Sequence, residues 1–192
     1  MSKKLNKYQC IKDGFYIIEN DGWNKFSFEK LANNMKVDSK TIKIMFRNKI
    51  GFLKAFSLMI DEKVIDKINF EEFKNNKVKD NLFELIMLRF EELNDYKPGL
   101  KNLLNDLKSS PFDFKKVTRN IFDSMELFLD IAKGKENYFF DFIKINIIFI
   151  IYSYTFNVWL DDKSEDMNIT MAELDKWLSQ AEIYSKKINQ FF

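Results

Sequence analysis

The 192-residue sequence has no histidine, one cysteine, two prolines and five glycines. Histidine is the commonest proton shuttle in catalysis and a frequent metal ligand, so its absence removes the usual base of a catalytic triad and many zinc sites. A single cysteine, Cys10, cannot form a disulfide within the chain, which suits a reducing cytosol. Few glycines and prolines, in a chain that is 46% apolar and 31% charged, favour long helices over a sandwich or a barrel.

Motifs for catalysis and metal binding are also absent from the sequence. Acid pairs such as Asp161-Asp162 and Glu91-Glu92 lie in a predicted loop and on a predicted helix face, where solvated charges are expected. Nothing resembles a nucleophile elbow, a phosphate-cradling glycine loop or a carboxylate–histidine cluster. The sequence therefore predicts a protein that is not an enzyme and that uses no cofactor and no metal.

Charge is unevenly distributed along the chain. Residues 1–49 hold 11 Lys/Arg and 5 Asp/Glu, a net charge of +6, whereas the remainder holds 20 and 24, a net charge of −4. A basic head suits contact with phosphates, either of nucleic acid or of an anionic membrane. A generally lysine-rich composition explains the same pattern, since 28 of the 31 cationic residues are lysines.

Apolar residues recur at three- and four-residue steps along most of the chain, which is typical of amphipathic helices. The pattern predicts an all-α protein with a helix-turn-helix head at 1–47 and a helical body at 48–192. In the head, Ser27 and Asp38 are expected to cap the second and third helices, and Gly22 to follow the first. Further helices are predicted at 48–65, 82–93, 100–107, 115–131, 138–160 and 170–192, with turns at Lys97-Pro98-Gly99, Ser109-Ser110-Pro111 and Lys133-Gly134-Lys135 and a polar loop at 161–168.

The helix predicted at 138–160 is long enough to cross a membrane. It contains Asp141, Lys144, Asn146 and Asn157, whose side chains are costly to place in lipid. We therefore expect a helix that is buried on most sides within the body and that also contributes to a dimer interface.

Residues 22–56 carry a run of small, polar and apolar positions at fixed spacing, namely Gly22, Ser27, Leu31, Ala32, Val37, Thr41, Ile42, Phe46 and Lys49. At this spacing the run resembles the DNA-binding head of TetR-type transcriptional regulators. Leu31, Ala32, Val37 and Ile42 are expected to pack two short helices at a steep angle. Phe46 is expected to lock the second of them against the helix that follows.

The resemblance implies that helix 38–45 enters the major groove of DNA. The sequence departs from the family here, because Lys40 stands at a usual glycine, Lys43 at a usual phosphate-contacting tyrosine, and Ile44 and Met45 at polar or aromatic positions. No Arg, Asn or Gln lies in helix 38–45 to make bidentate contacts with bases. DNA binding is therefore the alternative function, with possible contacts from Lys40, Thr41, Lys43, Arg47 and Lys49.

A second pattern, Y-x2-T-x3-W-L-x-D-x-S-x5-T-x3-L-D, lies in the C-terminal third. Together with Asp21-Gly22-Trp23 it resembles the lipid-binding family of coenzyme Q biosynthesis, that of the ninth coenzyme Q protein. The same positions also suit a corner between two helices, in which Asp162 and Ser164 accept backbone N–H bonds and Thr170 or Asn168 caps the last helix. The residues of the pattern are Tyr152, Thr155, Trp159, Leu160, Asp162, Ser164, Thr170, Leu174 and Asp175.

This second resemblance implies a TetR fold whose head has largely lost DNA binding. The body would hold an isoprenoid or other lipid and assist a hydroxylase of ubiquinone synthesis. The protein would be a cytoplasmic homodimer that meets the inner membrane peripherally, with Ile188, Phe191 and Phe192 as an apolar end. The run Tyr138–Phe142 matches the family's hydroxylase-docking surface only at Phe139, Phe142 and the following Lys144, which leaves that partner open.

The resemblance also implies a lipid pocket in the body. Apolar and aromatic stripes are more often core than pocket, so this assignment does not follow from spacing. Three functions are therefore weighed: a non-catalytic lipid-binding auxiliary of ubiquinone synthesis as the main hypothesis, a TetR-type regulator with a hydrophobic ligand pocket, and a structural dimer without a ligand. The predicted pocket residues are Leu82, Ile86, Phe90, Phe122, Met125, Leu129, Ile145, Ile148, Phe149 and Tyr152.

Overall fold

A computed structural model of the chain describes residues 5–189, without the side chains of Phe139 and residues 186–189. Within that range all regular structure is helical and there is no β-strand, as the sequence predicts. Short 3₁₀ turns at Asn94–Tyr96 and Glu165–Met167 precede α7 and α10. The helices are α1 Lys7–Asp21, α2 Phe28–Met35, α3 Ser39–Phe46, α4 Lys49–Lys67, α5 Phe70–Asn75, α6 Val78–Leu93, α7 Lys97–Leu107, α8 Pro111–Ile131, α9 Tyr138–Asp161 and α10 Asn168–Asn189.

The chain divides into two compact units. The first comprises Met1–Glu62 and Leu93–Asn120, and the second comprises Lys63–Glu92 and Ile121–Phe192. The predicted head at residues 1–47 lies within the first unit, and its boundary with the body stays a prediction.

The predicted helix boundaries in the head are confirmed. Gly22 follows α1 with a φ of 83°, a left-handed conformation that glycine adopts without a steric penalty. The Ser27 hydroxyl accepts the Lys30 N–H at 3.2 Å, and the Asp38 carboxylate accepts the Lys40 N–H at 2.8 Å. These side chains satisfy backbone donors that a helix start leaves open.

Some boundaries predicted farther along the chain are wrong, and one short helix was missed. Lys97-Pro98-Gly99 is the first turn of α7 and not a turn between helices. Proline is tolerated there because the N–H groups of the first helical turn have no acceptor within the helix, so the missing N–H of proline costs nothing. For the same reason α8 begins at Pro111, earlier than expected. The short helix α5 at Phe70–Asn75 was not predicted, and it is held by Asn69 at its start and the buried Phe73.

An aromatic cluster forms the core of the first unit, where α1 packs with α2 and α7. The ring centres of Phe15 and Phe56 lie 4.1 Å apart, those of Phe26 and Phe52 4.9 Å apart, and those of Phe46 and Phe52 5.2 Å apart. All five side chains are buried. Tilted and edge-on rings at these distances add to the free energy gained from burial. This cluster joins α1, α3 and α4 in one core.

In the second unit α9 packs with α10. Phe90 of α6 stacks on Tyr152 and Trp159 of α9, with ring centres 5.3 and 5.5 Å apart. The buried Arg89 donates from Nε to the Tyr152 hydroxyl at 3.2 Å. The core of the second unit therefore contains a polar contact, between Arg89 and Tyr152, among its apolar side chains.

One described helical stretch, 140–161, is long and apolar enough to cross a membrane by length and composition. Ile145, Ile148 and Ile151 are buried, whereas Ile150 is 64% exposed and Tyr154 is 47% exposed. One face of α9 is therefore exposed in the single chain, and the expected dimer interface stays a prediction.

Candidate nucleic-acid interface

Helices α2 and α3 form the pair that the sequence predicts for the head. Leu31 and Ala32 of α2 and Ile42 and Phe46 of α3 are buried where the two helices pack. Phe46 also meets Phe52 of α4 edge-on, which confirms the expected lock against the next helix. The orientation of α3 is thus set by its buried side.

The opposite side of α3 faces solvent. Ile42 is fully buried, and Lys40 and Ile44 lie two positions before and after it, so both project away from the core. Thr41 and Lys43, also exposed, flank them. Ile44 is 83% exposed, one of the highest values among the large apolar side chains described. The resulting surface, here called Lys40–Ile44, carries cationic, hydroxyl and apolar groups. It consists of the exposed side chains of Lys40, Thr41, Lys43 and Ile44.

Lys43 is paired with an acid on the neighbouring helix. Its Nζ lies 2.7 Å from the Glu29 carboxylate of α2, and both side chains are more than half exposed. The hydrogen bond from Lys43 lowers the pKa of Glu29 below its usual value. This pair partly offsets the charge that Lys43 offers to a phosphate.

Arg47 follows α3 in a strained conformation. Its φ is 64° and its ψ is −53°, and the Asn48 N–H donates to the Phe46 carbonyl at 2.7 Å across it, forming a γ-turn. This turn is rare and strained for a residue with a side chain, at a cost of about 1–3 kcal/mol. The Asn48 side chain then accepts the Gly51 N–H at 2.8 Å and so caps α4. The turn leaves Arg47 exposed.

Lys49 is directed into the first unit. Its Nζ donates to the Trp23 carbonyl at 2.7 Å and lies 4.3 Å from the centre of the Trp23 ring. Burial lowers the pKa of Lys49, against the opposing influence of the Asp113 and Asp106 charges. The lysine therefore holds the turn after α1, a role that the sequence pattern does not indicate.

Two further residues that hold this turn were missed by the sequence reasoning. The Asp106 carboxylate of α7 accepts the Asn24 N–H at 3.0 Å, and the Asn102 amide donates to the Glu19 carbonyl at 2.7 Å. Both contacts join residues more than 80 positions apart. No local pattern could have indicated them, because they depend on how α1 and α7 pack.

The corner between α9 and α10 is organised by Asp162. One carboxylate oxygen accepts the N–H and hydroxyl of Ser164 at 2.8 and 2.5 Å, and the other accepts those of Thr170 at 2.8 and 2.6 Å. Burial raises the pKa of Asp162, but the hydrogen bonds from Ser164 and Thr170 outweigh it and hold this pKa well below its usual range. As predicted, Asp162 and Ser164 accept backbone N–H groups in this corner. In the first turn of α10 they accept those of Thr170 and Ile169, so neither Thr170 nor Asn168, the predicted caps, is the acceptor there.

Four other positions of the Tyr152–Asp175 pattern are buried or paired within the second unit. Thr155, Trp159 and Leu174 are fully buried. Asp175 accepts a hydrogen bond from Lys79 at 2.8 Å. Burial and internal pairing of these positions favour a structural role for the pattern.

The predicted pocket residues all lie in the second unit. Phe122 and Phe149 are half-buried with ring centres 5.9 Å apart, and the other eight are buried. Their role as a pocket stays a prediction. The Ile188 side chain, Phe191 and Phe192, predicted as an apolar end, lie outside the described residues. Within the described part of the chain, no group of three or more Cys, Asp or Glu could hold a metal ion.

Comparison with solved structures identifies the fold. A TetR transcriptional regulator from Nitrosomonas europaea ATCC 19718 matches with a TM-score of 0.75 and 16% identity, over 92% of this chain and 97% of that one. BioQ, solved with its double-stranded DNA operator, matches with a TM-score of 0.55 and 15% identity, over 92% and 99% of the two chains. The chain has the TetR fold. No family model and no curated protein matches the sequence, so the resemblance to the coenzyme Q family finds no support.

Proposed function

We propose that the chain is a DNA-binding transcriptional regulator whose helix α3 enters the major groove. The observation that carries this proposal is the solvent-facing surface Lys40–Ile44, presented by a helix whose other side is fixed by Ile42 and Phe46. A helix of this kind fits the width of the major groove of B-DNA. A fold shared with BioQ, which was solved on its operator, is consistent with the proposal.

Phosphate contacts are assigned to Lys40 and Arg47. Both are exposed, and Arg47 keeps a charged side chain at a backbone position where glycine would relieve strain. Strain of this sort is commonly retained at functional sites. Lys43, paired with Glu29, contributes less, and Lys49 acts by holding the turn after α1.

A homodimer is part of the proposal. Ile143, Ile147, Ile150 and Tyr154 recur at four-, three- and four-residue steps along one face of α9, and all four are exposed. Tyr154 meets the exposed Trp177 of α10 with ring centres 5.6 Å apart, so the apolar surface continues onto the neighbouring helix. An apolar surface on two packed helices suits a second copy of itself, since two-fold symmetric dimers are the commonest oligomers.

DNA binding is tested by incubating the full chain with a random duplex library at low salt and sequencing what is retained. Binding of an enriched duplex, measured by fluorescence anisotropy, should weaken steeply as salt rises, because lysine and arginine contacts release counterions. The charge-reversal variant Lys40→Glu should weaken binding, whereas Lys54→Glu, an exposed position on α4, should change it far less. No enriched duplex at low salt would refute the proposal.

A hydrophobic effector is retained as a second, weaker part of the proposal. The observation behind it is the aromatic and aliphatic interior of the second unit, with Arg89 and Tyr152 as polar groups within it. Mass spectrometry of small molecules released from purified protein tests it. A specific role in ubiquinone synthesis, a hydroxylase partner and peripheral membrane contact rest only on the sequence resemblance, which no family model and no curated protein supports.

A further inference from the structure

We infer that Ile44 reads the C5-methyl group of thymine in the major groove, so that a thymine faces the Ile44 side chain in each half of the DNA site. This inference rests on the proposed DNA binding and specifies what that surface recognises. It concerns one side chain and one methyl group, and it can therefore fail while DNA binding stands.

The position of Ile44 is the first support. Ile44 lies two residues after the fully buried Ile42 and one turn after Lys40, so its side chain projects from the outermost part of α3. Its side chain is 83% exposed, although contact between an apolar side chain and water is unfavourable. An apolar group at this point would be covered when the helix enters a groove.

The chemistry of the neighbouring side chains is the second support. The exposed face of α3 offers two lysine ammonium groups, one of them paired with Glu29, a threonine hydroxyl and methyl, and the apolar Ile44. It offers no guanidinium or amide for the bidentate contacts that identify guanine or adenine. The thymine C5-methyl is the apolar group of the major-groove edge, and it distinguishes thymine from the other bases. Ile44 is therefore the side chain of this face best suited to select one base.

Lys40 lies four residues before Ile44, on the same face of α3. Its ammonium is a flexible point charge, which attracts phosphates and acceptor atoms of several bases without a fixed geometry. Lys40 thus supplies affinity that depends on salt, whereas Ile44 supplies a preference that depends on the base. This division predicts modest specificity, with one strongly preferred thymine in each half-site.

Replacement of thymine by deoxyuridine removes only the methyl group and is the test. With a duplex enriched from the random library, each thymine is replaced in turn, and binding of the full chain is measured by anisotropy at fixed salt. Burial of one methyl predicts that one replacement in each half-site weakens binding by about three- to fivefold. In Ile44→Ala the same replacement should change binding by less than about 1.5-fold, since the contact is already lost.

Phe112→Ala is the matched control, because Phe112 is also 83% exposed but lies on α8. This variant should keep the full sensitivity to deoxyuridine. If no replacement weakens binding, or if Ile44→Ala keeps the sensitivity, the inference is overturned while the proposed function stands. If no duplex is enriched at all, both are overturned.

Discussion

The Lys49 ammonium donates a hydrogen bond to the Trp23 carbonyl at 2.7 Å and sits 4.3 Å from the centre of the same residue's ring. One side chain of α4 thus holds both the backbone and the indole of the turn that joins α1 to α2. Asp106 of α7 also binds this turn. The conformation of the connection between α1 and α2 therefore depends on contacts with distant residues as well as on the local sequence.

Lys49→Met should therefore destabilise the fold. Loss of a charged hydrogen bond and a cation–π contact predicts a fall of about 1–3 kcal/mol in the free energy of unfolding, measured by urea denaturation. Lys54→Met, an exposed position on the same helix, should change it by less than about 0.5 kcal/mol. A Lys49→Met protein of unchanged stability with lost DNA binding would instead support the phosphate contact predicted from the sequence.

Arg47→Gly should separate stability from DNA binding. Glycine relieves the strain of the positive φ, so we expect stability to be unchanged or higher by about 1 kcal/mol. Loss of the cation should weaken DNA binding and reduce the slope of log affinity against log salt by about one. Arg47→Lys keeps both the charge and the strain, and should keep the slope. Equal slopes for all three proteins would exclude a phosphate contact by Arg47.

Asp162→Asn should destabilise the corner between α9 and α10. The amide can accept hydrogen bonds at one oxygen only, so either the Ser164 pair or the Thr170 pair loses its acceptor. We expect a loss of about 1.5–3 kcal/mol in thermal or urea unfolding at pH 7. Glu165→Gln, an exposed neighbour in the same loop, is the control and should remain near the parent protein. Equal losses in both variants would argue against the role of Asp162.

The same carboxylate predicts a pH dependence of stability. The pKa of Asp162 is lower in the folded state than the value of about 3.9 expected when unfolded. Its contribution is therefore fully present above the unfolded pKa and is lost as pH falls toward the folded pKa. Between pH 5 and pH 2 the parent protein should lose more stability than Asp162→Asn does. Parallel curves for the two proteins would contradict this assignment.

Ile150→Lys should disrupt the proposed dimer. A charge placed at a position that is 64% exposed in the single chain costs little there, but it is unpaired and desolvated when two apolar faces meet. Sedimentation velocity should show a dimer for the parent protein and a folded monomer for the variant. Phe112→Lys, an exposed position in the first unit, should remain dimeric. A monomeric parent protein at micromolar concentration would refute the proposed interface.

The helices of the head and their caps could be predicted from the sequence. Ser27, Asp38 and Gly22 act within a few residues of their own position, so local chemistry is enough to predict them. The same holds for the buried positions Leu31 and Ile42, whose spacing fixes one side of each helix. The turn predicted at Lys97-Pro98-Gly99 is wrong, because proline suits the first turn of a helix as well as a turn between helices.

The roles of Lys49 and Asp106, by contrast, depend on how distant helices pack. Lys49 and Asp106 act on the turn after α1 through contacts with residues 26 and 82 positions away, and no local pattern carries that information. The acceptor role of Asp162 in the helix corner was predicted from the sequence, but its bonds to the hydroxyls of Ser164 and Thr170 were found only in the structure. Local spacing is enough to predict helix caps and buried faces, because the interacting groups lie within a few residues of each other. Hydrogen bonds between distant residues depend on how the helices pack, and the spacing of residues along the chain does not determine that packing.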